Sequence, residues 1–105
     1  MDINTDNLPV RKNDEEKRFE VNVDGHLALV EFIETKSLIT YTHTEVPQAL
    51  EGQGIGSLLA RTALDYAREN GLDVLPLCPF ILAYIRRHPE YRDIVFRGKP
   101  RTDGA

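Results

Sequence analysis

Cysteine occurs once, at position 78, methionine once and tryptophan not at all. One thiol cannot close an internal disulfide or complete a cysteine-rich zinc site, so the fold must rest on its core, and no metal is expected. No uninterrupted apolar stretch comes near the about 20 residues that span a bilayer, so a membrane partner is not expected either. The opening residues, Met1-Asp2-Ile3-Asn4-Thr5-Asp6, carry neither the basic segment nor the apolar core of a secretory signal, which makes the cytoplasm the expected location. Positive charge is scarce over most of the chain. Residues 1–85 hold 14 acidic and 7 basic side chains, and only residues 86–105, with 3 acidic and 6 basic, reverse the balance. A body that acidic excludes general nucleic-acid binding, which needs clustered Lys and Arg to neutralise phosphates. What remains is ordinary: 41% hydrophobic and 29% charged residues in a chain of 105, the mixture of one globular domain with one modest core.

Residues 1–17 are mostly charged or polar, with Pro9 and no apolar period, and read as a flexible leader. The domain is expected to span 18–96, followed by a solvated tail over 97–105 containing Gly98, Pro100 and Gly104. Phe19, Val21 and Val23 alternate with polar residues as in a half-buried strand, and Asp24-Gly25 suits a tight hairpin turn into a second strand, His26 to Glu34. Thr35-Lys36-Ser37 makes a polar turn, and Leu38 to Val46 forms a third strand stopped by Pro47. Simple alternation along it puts Ile39, Tyr41, His43 and Glu45 on one face and Thr40, Thr42 and Thr44 on the other. From Ile55 the apolar period becomes helical and runs to Asn70, with Gly71 as the stop. Leu72 to Leu77 reads as a short buried strand, which makes a strand, helix, strand unit with parallel pairing and a right-handed crossover. Pro76 implies that this strand lacks a partner on one side, as when its end splays from its neighbour. A last helix covers Phe80 to His88. The fold class is α+β: a mostly antiparallel sheet with a splayed parallel strand pair joined by a crossover helix.

The strongest chemical signal is Glu51-Gly52-Gln53-Gly54-Ile55-Gly56-Ser57, between the end of a strand and the start of a helix. Glycines at alternate positions let backbone approach a ligand, and the unpaired first N–H groups of the helix point at it, an arrangement that fits a pyrophosphate. A Walker loop is excluded because Gly56 is followed directly by Ser57 with no lysine. The dinucleotide fingerprint is excluded because its third glycine would stand where Ser57 is.

What remains resembles the GNAT superfamily of N-acetyltransferases, whose acetyl-CoA loop reads Arg/Gln-x-x-Gly-x-Gly/Ala at a strand-to-helix junction; here it is Glu51-Gly52-Gln53-Gly54-Ile55-Gly56. The loop, His43-Thr44-Glu45-Val46-Pro47 before it, and Pro76-Leu77-Cys78-Pro79-Phe80 with His88-Pro89-Glu90-Tyr91 after it, together resemble the small single-domain subfamily called YjdJ-like, over about residues 18–95. The resemblance implies acetyl-CoA (CoA as co-substrate, no metal) held between the two splayed strands through Gly52, Gln53, Gly54, Ile55, Gly56 and Ser57, with the backbone N–H of Val46 as oxyanion donor. Glu51, where the family often has Arg or Gln, is expected to point away from the pyrophosphate.

Acetyl transfer to an amine needs the amine deprotonated, the carbonyl polarised and the thiolate protonated. His43 and Glu45, two residues apart on one strand face and so about 7 Å apart, are candidate proton acceptors. Cys78, after the second splayed strand and bracketed by Pro76 and Pro79, is either a nucleophile or a lining residue beside the CoA sulfur; direct attack by the amine, with Cys78 lining the tunnel, is the expectation. Tyr84 matches the tyrosine that the superfamily often keeps to protonate the thiolate. The acceptor, a primary amine of a small molecule or protein, is unidentified. Six acidic against two basic side chains over 18–51 favour a cationic one. A monomer or weak dimer is expected. The alternative from another class is a non-catalytic acyl-CoA-binding or interaction module.

Overall fold

The computed structural model describes residues 8–98. Alternation in the first long segment produces strand β2, Arg18–Val23, whose Phe19, Val21 and Val23 are buried while Asn22 is exposed. Asp24 and Gly25 both adopt positive φ, 53° and 82°, as a two-residue hairpin matched to strand twist requires. The chain then returns as β3, His26–Glu34, and continues through β4, Leu38–Glu45. Helix α1, Ile55–Glu69, crosses over to β5, Asp73–Pro76, which lies parallel to β4, and α2, Pro79–Arg87, follows. With a short strand β1, Arg11–Asn13, at the edge, the sheet order is β1-β2-β3-β4-β5, antiparallel except for the last pair. This is the mixed α+β arrangement that the sequence implies.

Helix α1 stops through the chemistry of Gly71. With Gly71 at φ +66°, its N–H donates to the Arg68 carbonyl and that of Leu72 to the Ala67 carbonyl, so two orphaned helix-end carbonyls are satisfied. The apolar face of α1, including Leu59, Ala63 and Ala67, is fully buried. The sheet meets it with Phe19, Val21, Val30, Phe32, Ile39 and Tyr41, and the Tyr41 hydroxyl donates to the Ala63 carbonyl at 2.6 Å. Beyond α2, a 3₁₀ turn at Pro89–Ile94 is clamped to α1: Arg68 forks onto Asp93 at 2.8 and 2.9 Å, and the Tyr91 hydroxyl donates to Asp65 at 2.7 Å.

Two expectations about the backbone need correction. The described fold begins before Arg18: Arg11–Asn13 forms a short strand, β1, paired antiparallel with β2, and Leu8 and Val10 pack against the core. Its sequence hides it because the strand is short and charged, and what holds it is a side-chain clasp. Lys12 Nζ lies 5.0 Å from the Phe32 ring centroid and 4.8 Å from that of Tyr66, with Glu34 at 3.2 Å. Burial alone would lower the Lys12 pKa, but hydrogen bonds to Asp14, Glu34 and Tyr66 override it and hold the ammonium above the usual lysine range. Residues 1–7 of the expected leader and 99–105 of the expected tail lie outside the described residues.

The second correction concerns Pro76. In a parallel ladder the N–H and C=O of one residue point to the same side. Asp73 N–H donates to Ser37 on the β4 side, whereas the Val74 carbonyl accepts from Phe96 on the outer side, where Val74 bridges Val95. Pro76 therefore turns its missing donor toward the outer edge. The parting of β4 and β5 has a different origin: the last rung is Cys78 N–H to the Tyr41 carbonyl at 2.9 Å, with Leu77 looped out to bond Leu75.

Among the described residues, no helix is long and apolar enough to cross a membrane. A chain beginning at Arg18 is expected to melt at least about 5 °C below the full chain, since 1 kcal/mol moves Tm by about 4–8 °C in a domain of this size. Coincident melting curves would show that β1 and its lysine clasp contribute nothing.

Candidate functional site

The site is built where β4 and β5 part, and one inserted residue decides what β4 presents there. Tyr41 pairs with Phe32, but His43, not Thr42, pairs with Glu31, so Thr42 is a β-bulge. The bulge shifts the alternation by one. Tyr41 and Thr44, opposite the buried Phe32 and Val30, face α1. His43 and Glu45, opposite Glu31 and Leu29, face the other way. The expected shared face of Ile39, Tyr41, His43 and Glu45 is thus broken, and Thr44 takes the inward place. His43 and Glu45 do keep a common face, with Nε2 and Oε2 3.4 Å apart, both exposed.

Beneath Thr44 opens a cleft of about 430 Å³. One end is the glycine turn: Gly52 and Gly54 have φ of +78° and +79°, and Gly54 caps α1 with no side-chain hydrogen bond. The first helical bond is Leu58 N–H to the Gly54 carbonyl, so the preceding N–H groups have no acceptor within the helix. The wall is apolar, from Val46, Leu50, Ile55 and Phe80. Gly52, Gly54, Ile55, Gly56, Ser57 and Val46 all line this cleft, as does Glu51. Gln53 is not among the lining residues; its side-chain amide bends back to donate to the Ala49 carbonyl at 3.2 Å.

Gly56 has a structural reason of its own. A Cβ there would stand 2.6 Å from Phe80 Cζ, so the glycine is what lets α2 bring Phe80 over the start of α1. This contact joins segments 24 residues apart and has no local signature in the sequence.

Cys78 is 2% exposed at the N-cap of α2, and its Sγ lies 3.0 Å from Thr44 Oγ1. Tyr84 is not among the cleft residues. Its ring stacks on His88 at 4.1 Å and tilts against Tyr91 at 6.1 Å. Burial pushes its hydroxyl above the usual tyrosine range, with Arg61 opposing and Asp65 adding to the shift. Among the described residues, no three His, Cys, Asp or Glu side chains are grouped to hold a metal ion.

The sequence model of the GCN5-related N-acetyl-transferase family matches residues 18–94, and the chain belongs to that family. It is similar to Protein NATD1 of Mus musculus, 34% identical over 77% of this chain and 78% of that protein, and to Protein NATD1 of Danio rerio, 30% identical over 87% and 86%. A GCN5-like protein from Staphylococcus aureus, solved by NMR, superposes with a TM-score of 0.66 at 27% identity, covering 89% of this chain and 92% of that one.

The sign of one substitution tests the packing at the glycine turn. Alanine at an ordinary helix position is favoured over glycine by about 1 kcal/mol. Gly56→Ala is instead expected to destabilise by about 1–3 kcal/mol through the clash with Phe80. Phe80→Leu in the same chain should relieve it; a Tm that rises in Gly56→Ala alone would show that the ring yields freely.

Proposed function

We propose that the protein transfers an acetyl group from acetyl-CoA to a primary amine. The observation that carries this reading is the cleft: backbone N–H groups and the positive end of α1 at one end, an apolar wall between, and Thr44 beside Cys78 at the other. A diphosphate suits the helix end, an alkyl amide arm suits the wall, and the thioester then reaches the point where β4 and β5 part. Hydrogen bonds to a charged ligand are worth about 1.5–3 kcal/mol each, so a few suffice for micromolar binding. The backbone N–H of Val46 is the oxyanion donor in this reading.

The bulge at Thr42 supports separate approaches for the two substrates. The donor lies on the α1 side with Thr44, and the amine comes from the opposite face with His43 and Glu45, which accept its proton through water. On that same face Glu20 is already paired with Arg11 and Arg18, which leaves Glu31 and Glu45 as the carboxylates that favour a cationic acceptor. Direct attack by the amine needs no acyl-enzyme, and Tyr84 has no part in it.

Ser57→Asp separates the site from the fold, because its two effects have opposite signs. Ser57 is exposed in the first turn of α1, which carries no acidic residue, so a carboxylate there should hold or raise Tm through the helix dipole. The same charge should repel a diphosphate and weaken CoA binding at least about tenfold, or about 1.4 kcal/mol. Calorimetry showing unchanged CoA affinity would remove the helix end from the site. For the acceptor side, His43→Gln with Glu45→Gln is expected to lower kcat by about 10²-fold or more with CoA affinity retained, within the range of general base catalysis. Steady-state rates equal to wild type would leave the base elsewhere.

A further inference from the structure

With the Tyr84 ring packed against His88 and Tyr91 and outside the lining of the cleft, the departing thiolate needs another source for the proton it takes up. Two hydroxyl side chains line it, Thr44 and Ser57, and Ser57 stands at the helix end, where the diphosphate is expected. Thr44 is half-buried at the other end, and its Oγ1 is in contact with the Cys78 Sγ. Cys78 itself is almost fully buried and is not a lining residue, so Thr44 is the group through which it meets the contents of the cleft. Both members are fixed by backbone: Thr44 by the bulge at Thr42, Cys78 by its N–H on the Tyr41 carbonyl and by its place at the start of α2.

We propose that Thr44 is a catalytic residue that relays a proton from the Cys78 thiol to the thiolate of CoA, a role that rests on the acetyl-transfer reading above. The amine nitrogen bonds to the carbonyl carbon and the carbon–sulfur bond breaks, leaving its electron pair on the CoA sulfur. That sulfur takes the proton of the Thr44 hydroxyl as the Thr44 oxygen takes the proton of the Cys78 thiol. The amine gives up its proton to water, and Cys78 regains one from water before the next turnover. Donor and final acceptor are both sulfurs, so no strong acid is needed, and Cys78 acts without carrying the acetyl group.

The relay requires that the Cys78 S–H donate to the Thr44 oxygen, which is observable without any substrate. Cys78 is the one cysteine of the chain, so its S–H stretching band in the infrared is unambiguous, and Cys78→Ala should abolish it. In Thr44→Val, similar in shape but without a hydroxyl, the band should move to higher frequency, and Thr44→Ser should restore it. A band that stays in place in Thr44→Val overturns the proposal. In kinetics with acetyl-CoA and an amine panel, Thr44→Val should lower kcat about 10²-fold, leave the calorimetric CoA affinity within about twofold, and be rescued by Thr44→Ser. Thr44→Val and Cys78→Ala combined should be no slower than the slower single variant, because they interrupt one path; multiplying effects would overturn the proposal. Intact mass showing an acetyl group on Cys78 after exposure to acetyl-CoA alone would also overturn it. A wild-type protein that fails to bind CoA or to turn over any amine defeats the acetyl-transfer reading itself. A working wild type matched by Thr44→Val defeats only the relay.

Discussion

The arrangement of the cleft depends on one extra residue in β4. Side chains on a strand alternate strictly, so inserting Thr42 without a partner exchanges the two faces for every residue that follows. Without the bulge, His43 and Glu45 would enter the cleft as two ionisable groups in an apolar wall, and Thr44 would stand in water. With it, the wall keeps a neutral hydroxyl and the charged pair stays solvated on the far side. The bulge is placed just after Tyr41, which is fully buried and tied to the Ala63 carbonyl. Burial pushes the Tyr41 phenol far above its usual range, so it remains a neutral donor throughout the working pH range. The strand is therefore anchored on one side of the insertion and free to diverge on the other.

A second constraint is the close approach of Phe80 to Gly56. Helix α2 reaches α1 at that point because one position lacks a side chain, and the same contact closes the apolar side of the cleft. Site and core thus share residues: Ile55 and Leu50 line the cleft and are buried in the main hydrophobic cluster. A small domain of this kind has little material to devote to a pocket alone.

Much of this was legible in the sequence, and the exceptions share a cause. Period-two alternation at Phe19, Val21 and Val23, the Asp24-Gly25 turn and the helical period ending at Gly71 are local signals, and each marks a real element. The glycine turn was found for the same reason. The bulge was invisible because Thr40, Thr42 and Thr44 look alike in sequence, and the register that distinguishes them is set by β3. Strand β1 was invisible because Lys12 is held by Phe32, Glu34 and Tyr66, residues at least 20 positions away. Tyr84 fits a helical position for an acid in sequence, yet the aromatic neighbours that occupy it, His88 and Tyr91, are chosen by packing.

The clasp on β1 and the outward proline of β5 act on a problem other than catalysis. A sheet ends in two strands whose outer donors and acceptors invite any passing extended chain to pair. Here one boundary is a strand of three residues, two of them cationic, and the other offers Pro76 where a donor would stand and is already bridged at Val74 by Val95. Neither boundary is a long, flat template. The face of the sheet that carries the exposed His43 and Glu45 can stay open without the sheet also becoming a seed for strand-by-strand polymerisation.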